Sequence, residues 1–275
     1  MRRKLAAFFM VLGLASTGLL SAAMAQDSAL ETLLTANDTR GWEAVGRIDI
    51  ADRAFCTGAL IAPDLVLTAA HCLFDKDSNQ AFAAADFKFL AGWRDGRAVA
   101  YRGVKRVFAH PSYVYHGPEN IDGVAYDLAL LQLDQPIRLA SIQPYATGVD
   151  PQLGDTVEVV SYAFDRSEAP SLQRACQVLG PQPGMMVFSC SVDFGSSGAP
   201  IFKIQDGVPE IVSVVSAKAE LDGAQVSLGA QMAEPLAELR AAFAQSEIPS
   251  RKGVLGQSNM PQIGGTVGGA KFLKP

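Results

Sequence analysis

Two stretches, Cys56-Thr57-Gly58-Ala59-Leu60-Ile61 and Leu65-Val66-Leu67-Thr68-Ala69-Ala70-His71-Cys72, decide how this chain is read. Each holds a short apolar run, and Pro63 and Asp64 between them supply a turn. Runs this short, bounded by turn residues, are strands. Working outward, the same texture recurs in a first series at Ala44–Ile50, Ala54–Ile61, Phe87–Ala91, Val99–Phe108 and Leu128–Leu133. A second series covers Thr156–Tyr162, Leu172–Leu179, Met185–Cys190, Ile211–Ser216 and Gln225–Gln231. Many short strands separated by Gly, Pro, Asp and Asn predict an all-β sandwich or barrel and exclude alternating βαβ units. Gln135–Gly154 carries Pro136, Pro144 and Pro151 and reads as a linker, so a first β unit over 26–140 and a second over 141–245 are expected. Ala233–Ala244 is amphipathic, with Leu236, Leu239 and Phe243 on one stripe, and predicts a C-terminal helix. The Gly-rich stretch 246–275 reads as a flexible or surface-wrapped tail.

The 275 residues suffice for one large domain or two of about 100 residues each. With 49% apolar and 19% charged residues the chain is globular rather than disordered. A formal charge of −5 gives no compositional support to nucleic-acid binding. Arg2, Arg3 and Lys4, the apolar residues 5–20 and Ala23-Met24-Ala25 form an export signal over 1–25, cleaved before Gln26. A membrane anchor is the competing reading, but the uninterrupted apolar run is short for a span of about 20 residues. Loss of the three basic residues takes the basic count from 23 to 20 and the net charge to −8. A secreted or periplasmic protein without membrane attachment is the expectation. In that compartment Cys56, Cys72, Cys176 and Cys190 read as two disulfides. Three pairings are open; the local one, Cys56 with Cys72 and Cys176 with Cys190, closes loops that each stabilise by about 3 kcal/mol. Paired C-x-x-C spacing for zinc is absent, and no metal or cofactor is expected.

Three segments carry chemistry. Gly195-Ser196-Ser197-Gly198-Ala199-Pro200 can present one hydroxyl in a tight turn whose backbone N–H groups face an oxyanion, or be merely a turn. His71 closes a strand beside a cysteine, which would hold an imidazole in place for general-base work; a satisfied core histidine is the plainer alternative. Asp127 stands at the mouth of the apolar run Leu128–Leu131, where it either starts the strand or orients a histidine. All three histidines, His71, His110 and His116, precede Ser197, which excludes the order Ser…Asp…His of α/β-hydrolases. The subtilisin order would need Asp49, Asp52 or Asp64 and an α/β fold that the strand pattern opposes. The order His71…Asp127…Ser197 remains.

On these residues the chain resembles the chymotrypsin/trypsin-like serine peptidases. Cys56–Ile61 with Leu65–Cys72 is similar to that family's histidine motif and its disulfide partner. His110-Pro111-Ser112-Tyr113 and Asp127–Leu131 are similar to its aspartate segment, and Gly195–Pro200 to its nucleophile motif. The resemblance spans Trp42 to Gln245 and implies two six-stranded antiparallel β-barrels with the site between them. It implies that Ser197 attacks, His71 moves the proton, Asp127 orients His71, and the N–H groups of Gly195 and Ser197 form the oxyanion hole. His110 would be structural and His116 exposed. Ser196 replaces the family's usual Asp, and no Ile-Val-Gly-Gly-like start is present, so activation by a cleaved N-terminus is not expected; in this the chain is similar to bacterial glutamyl endopeptidases. Residues 26–40 remain open to trimming.

Counting from Ser197, the resemblance places Ser191 at the base of the primary pocket and Ser216-Ala217-Lys218 on its substrate-pairing edge. Lys218 would either favour an acidic side chain or be simply solvated. No cleavage preference follows. The implied partner is a protein or peptide substrate; the alternative is a protease-fold binding module that no longer cleaves. Oligomeric state is not legible.

Overall fold

The computed structural model describes residues 28–117, 121–221 and 223–246; the expected export signal and residues 247–275 of the tail lie outside the described residues. After a two-residue strand β1 (Glu31–Thr32) come β2 (Val45–Ile50), β3 (Ala54–Ala62), β4 (Leu65–Thr68), β5 (Phe87–Ala91), β6 (Ala100–Ala109) and β7 (Ala129–Leu133). The last six close an antiparallel barrel in the order β2-β3-β4-β7-β6-β5, with β5 returning to β2. Period-two burial drives this: in β2, Ile48 and Ile50 point inward while Arg47 and Asp49 stay on the outer face. β7 departs from the alternation because helix α1 (Ala233–Gln245) lies against it, so its apolar run is nearly continuous.

The second half contributes β8 (Ala146–Thr147), β9 (Thr156–Ala163), β10 (Arg166–Gln182), β11 (Met185–Phe188), β12 (Pro200–Gln205), β13 (Val208–Leu221) and β14 (Ala224–Ala230). Antiparallel pairings run β9-β10-β11-β14-β13-β12 and back to β9, which closes the second six-stranded ring. β8 adds to β13 in parallel. The all-β, two-barrel expectation therefore holds.

Several strands depart from the runs read in the sequence; β13, for one, spans Val208–Leu221 rather than Ile211–Ser216. β10 begins at Arg166 and runs 17 residues, not from Leu172 to Leu179. It shifts register at three places, pairing with β9 first and β11 later, and such bulges let one long strand bend round the barrel. β12 is absent from those runs although Ile201, Phe202 and Ile204 are apolar; it starts directly at Pro200 of the Ser/Gly turn, and proline is tolerated as a first strand residue.

Both ends of the described chain cross to the other barrel. β1 pairs with β10, Leu33 is wholly buried, and the Ser28 hydroxyl accepts the Ala175 N–H at 2.9 Å. In the other direction, α1 buries Leu236, Leu239 and Phe243, with Phe243 edge-on to Phe108 and under the Arg106 guanidinium at 3.4 Å from the ring centroid. Its free N-terminal amides are capped from a distance: Asp150 Oδ1 accepts from Met232 N–H (2.7 Å) and Ala233 N–H (3.2 Å), a favourable place for a carboxylate. Between the barrels Trp42, Tyr145 and Phe202 cluster, with Tyr145 and Phe202 edge to face at 4.7 Å between centroids.

If the N-terminal arm is an integral part of the second barrel, Leu33→Ala should destabilise by about 2–5 kcal/mol. Urea unfolding of the mature protein checks this, and an unchanged midpoint would make the arm dispensable.

Candidate active site

His71 sits on a single 3-10 turn, Ala70–Leu73, at the end of β4. Cys72 on that turn is bonded to Cys56 on β3, and Cys176 is bonded to Cys190, so the local pairing is the one present. Metal-ligating atoms of Cys56, His71 and Cys72 fall within 4.8 Å of one another, but the disulfide consumes both sulfurs and leaves no thiolate to bind an ion.

Asp127 follows another 3-10 turn, Val124–Tyr126, and its side chain is 3% exposed. It accepts the His71 backbone N–H at Oδ1 (2.8 Å) and meets His71 Nδ1 at Oδ2 (2.7 Å). The Ser216 hydroxyl donates to the same Oδ2. Because a carboxylate only accepts, the His71 tautomer is fixed with its proton on Nδ1 and its lone pair on Nε2. The imidazole is 27% exposed, so one edge reaches solvent. Burial works against a charged ring, but the Asp127 charge and hydrogen bond outweigh it and raise the His71 pKa above its ordinary 6.5.

His110 is buried against the aspartate segment. Its ring stacks on Tyr126 at 4.9 Å, its Nδ1 accepts the Ser112 N–H, and its backbone N–H donates to Leu128 O. His116 is exposed.

The nucleophile turn is docked on the first barrel by close backbone approach. Thr57 N–H donates to Ser197 O (2.8 Å), and the Thr57 hydroxyl donates to Gly195 O (2.9 Å) while accepting Tyr162 N–H from β9 (3.1 Å). Gly198 packs so tightly that a Cβ there would lie 2.1 Å from Thr68 Oγ1 and 2.9 Å from Ala69 N, on the strand end that leads into His71. Its φ of +80° and the +97° of Gly195 demand glycine as well. Ser196, Gly198 and Ala199 donate their N–H groups to Asp193 O, Val215 O and Ser196 O. Among the described residues the N–H groups of Gly195 and Ser197 have no protein acceptor, which is the condition an oxyanion hole needs. Ser197 itself is half-buried. No hydrogen bond joins its hydroxyl to His71 Nε2 among the described residues; such contacts commonly tighten only with substrate in place.

The matching family model is that of the trypsin-like peptidase domain, over residues 56–209, more than half of the chain. The chain belongs to the trypsin-like peptidase family. This trypsin-like chain is 26% identical over 150 residues to a glutamyl endopeptidase of Bacillus licheniformis, covering 54% of this chain and 45% of that protein. It is 27% identical over 145 residues to glucanase inhibitor protein 1 of Phytophthora sojae, 52% of each chain. The matched region thus spans about half the length of these curated relatives. A solved Glu endopeptidase, in complex with MPD, superposes with a TM-score of 0.65 at 20% identity, over 82% of this chain and 99% of its own, and shows the shared fold.

Of the remaining site expectations, two touch residues of the site or its flank. Ser216 turns to Asp127, a contact that nothing local in the sequence announces. Lys218 pairs with Asp193 Oδ1 at 2.8 Å and lies 4.3 Å from the Phe194 ring centroid. Ser191 is exposed, and its N–H donates to Gln173 Oε1 at 2.7 Å. Sequence reasoning misses Thr57 as a residue that holds the nucleophile turn, since its partners Gly195 and Tyr162 lie 138 and 105 residues along the chain.

With three imidazoles, NMR titration resolves each. His71 should titrate above 6.5, and His110, where burial dominates over Glu238, below it. In Asp127→Asn only burial acts on His71, so its midpoint should fall below 6.5; an unmoved midpoint would mean the carboxylate does not govern the ring.

Proposed function

We propose that the mature chain is an exported serine endopeptidase in which Ser197, His71 and Asp127 hydrolyse peptide bonds through an acyl-enzyme. The observation that carries this is the buried Asp127 carboxylate, which fixes Nε2 of a partly exposed His71 as a base beside the nucleophile turn. In this reading Ser197 Oγ attacks the scissile carbonyl and His71 Nε2 takes its proton. Asp127 holds the imidazolium that forms, and the free N–H groups of Gly195 and Ser197 receive the oxyanion. His71 then protonates the leaving amine, and water, activated by the same ring, releases the acyl group from Ser197. No metal or cofactor enters any step. Ser191, Ser216 and Lys218 would border the primary pocket; the exposed pairing of Lys218 with Asp193 gives no ground for naming a preferred side chain.

Export rests on the leader over 1–25, with the two disulfides suited to a periplasmic or extracellular address. No helix among the described residues is long and apolar enough to cross a membrane. The second reading, a non-cleaving binding module, draws on a relative named as an inhibitor. Family membership alone therefore does not decide between them. The engaged His71–Asp127 pair and the open amides at Gly195 and Ser197 favour the enzyme.

A fluorophosphonate probe tests the nucleophile without a known substrate. The wild-type protein should become labelled on the peptide containing Ser197, and Ser197→Ala should not. Asp127→Asn should slow labelling by up to about 10⁴-fold through the wrong tautomer. Absence of labelling in disulfide-intact protein would favour the binding module.

A further inference from the structure

The turn that carries Ser197 is held from behind by a cation that the triad does not use. Arg166 opens β10 just after the Phe164-Asp165 turn, and its side chain is 12% exposed. Nη1 donates to Ser161 O (2.8 Å) and Ser161 Oγ (3.1 Å), and Nη2 donates to Ser196 Oγ (3.3 Å). Ser196 is fully buried, and its hydroxyl also accepts Asp193 N–H (3.3 Å) and donates to Tyr162 O (3.2 Å). One hydroxyl therefore ties together the guanidinium, β9 and the start of the nucleophile turn. A further backbone bond, Phe164 N–H to Phe194 O at 2.8 Å, fastens the same β9–β10 connection to that turn.

A guanidinium is a costly choice for this position. Burial pulls its pKa down, and Asp165, its carboxylate neighbour at 3.9 Å, is 77% exposed and screened by water. The acceptors at hydrogen-bond distance are all neutral. If the only requirement were a stable β9–β10 connection, an apolar side chain would meet it without desolvating a charge. What the guanidinium adds is a fixed fork of donors that spans Ser161 and Ser196 at once, which lysine cannot reproduce.

We propose that Arg166 is a positioning residue for the oxyanion-binding turn: a resident guanidinium that grips Ser196 and thereby keeps the Gly195 and Ser197 N–H groups aimed at the reacting carbonyl, with no activating cleavage required. The inference rests on the serine-peptidase reading and deepens it by naming what preforms its oxyanion hole. Lys218 grips Asp193 on the other flank, but that pair is exposed on both sides and contributes little by comparison.

The test measures two things on the disulfide-intact mature protein and on Arg166→Ala, Arg166→Lys and Ser196→Ala. Hydrogen exchange should quicken in Arg166→Ala for amides of the Asp193–Ser197 turn and stay unchanged for the first-barrel strands β2 to β7. Inactivation by a fluorophosphonate should show kinact lowered about tenfold or more with KI nearly constant, since only the charge-developing step loses its donors. Added guanidinium ion below denaturing concentration should restore part of kinact to Arg166→Ala, and Arg166→Lys should retain part of it. Ser196→Ala, which leaves the Arg166 bonds to Ser161 intact, should reproduce the loss and keeps the test decisive if Arg166→Ala does not fold. Lowered stability with unchanged kinact and unchanged turn exchange would make Arg166 a hairpin staple and overturn the inference alone. Wild-type protein that is not inactivated at all would overturn the peptidase reading and this inference together.

Discussion

The proposed site depends on how closely the Gly195–Gly198 turn of one barrel approaches the β3–β4 pair of the other. The approach is set largely by backbone. Thr57 uses its N–H and its hydroxyl to hold Ser197 O and Gly195 O, and Gly198 fits against Thr68 and Ala69 only because it has no Cβ. Thr68 and Ala69 lead directly into the His71 turn, so the same contact that seals the barrels also sets the serine turn beside the histidine. Burying Thr57 costs little because each of its polar groups is satisfied: Thr68 Oγ1 donates to its carbonyl, and Tyr162 donates to its hydroxyl.

The two exchanged ends reinforce that seam. The N-terminal arm lies on β10 of the second barrel, whereas α1 lies on the first, so the polypeptide embraces the interface from both sides. Tyr145 in the connecting segment adds a third tie, donating from its N–H to Leu60 O and from its hydroxyl to Gly41 O. A site whose groups come from both barrels needs this, because a small relative rotation would separate Ser197 from His71 and Asp127. The buried aspartate is the other constraint. It is tolerable only because three donors converge on it, and one of those, Ser216, comes from β13 of the second barrel. The His71–Asp127 pair is thus completed across the seam rather than within one barrel.

What is legible in the sequence is what is local. Strand runs such as Val45–Ile50 and Ala129–Leu133 follow from short apolar segments between turn residues, and the two disulfides join cysteines 16 and 14 residues apart. The positions proposed for the triad are legible because each sits in a compact segment, and the order of those segments along the chain opposes other hydrolase architectures. The rest is hidden because its cause lies elsewhere in the chain. Arg166 acquires its meaning from Ser196, 30 residues on, and Thr57 from Gly195, 138 residues on. Helix α1 has Met232 in the capping position, and nothing local announces that Asp150 caps it instead. Nor does anything local announce that the Ser216 hydroxyl faces Asp127, at the point where β13 shifts register between Val215 and Ala217.

A working peptidase site at the seam between the barrels should leave a direct chemical trace. The most direct measurement is to incubate the mature, disulfide-intact protein with a complex peptide library and identify new amino termini by mass spectrometry, alongside Ser197→Ala and His71→Ala. New termini should appear with the wild-type protein and with neither variant. An unchanged library, or the same termini from Ser197→Ala, would contradict such a site.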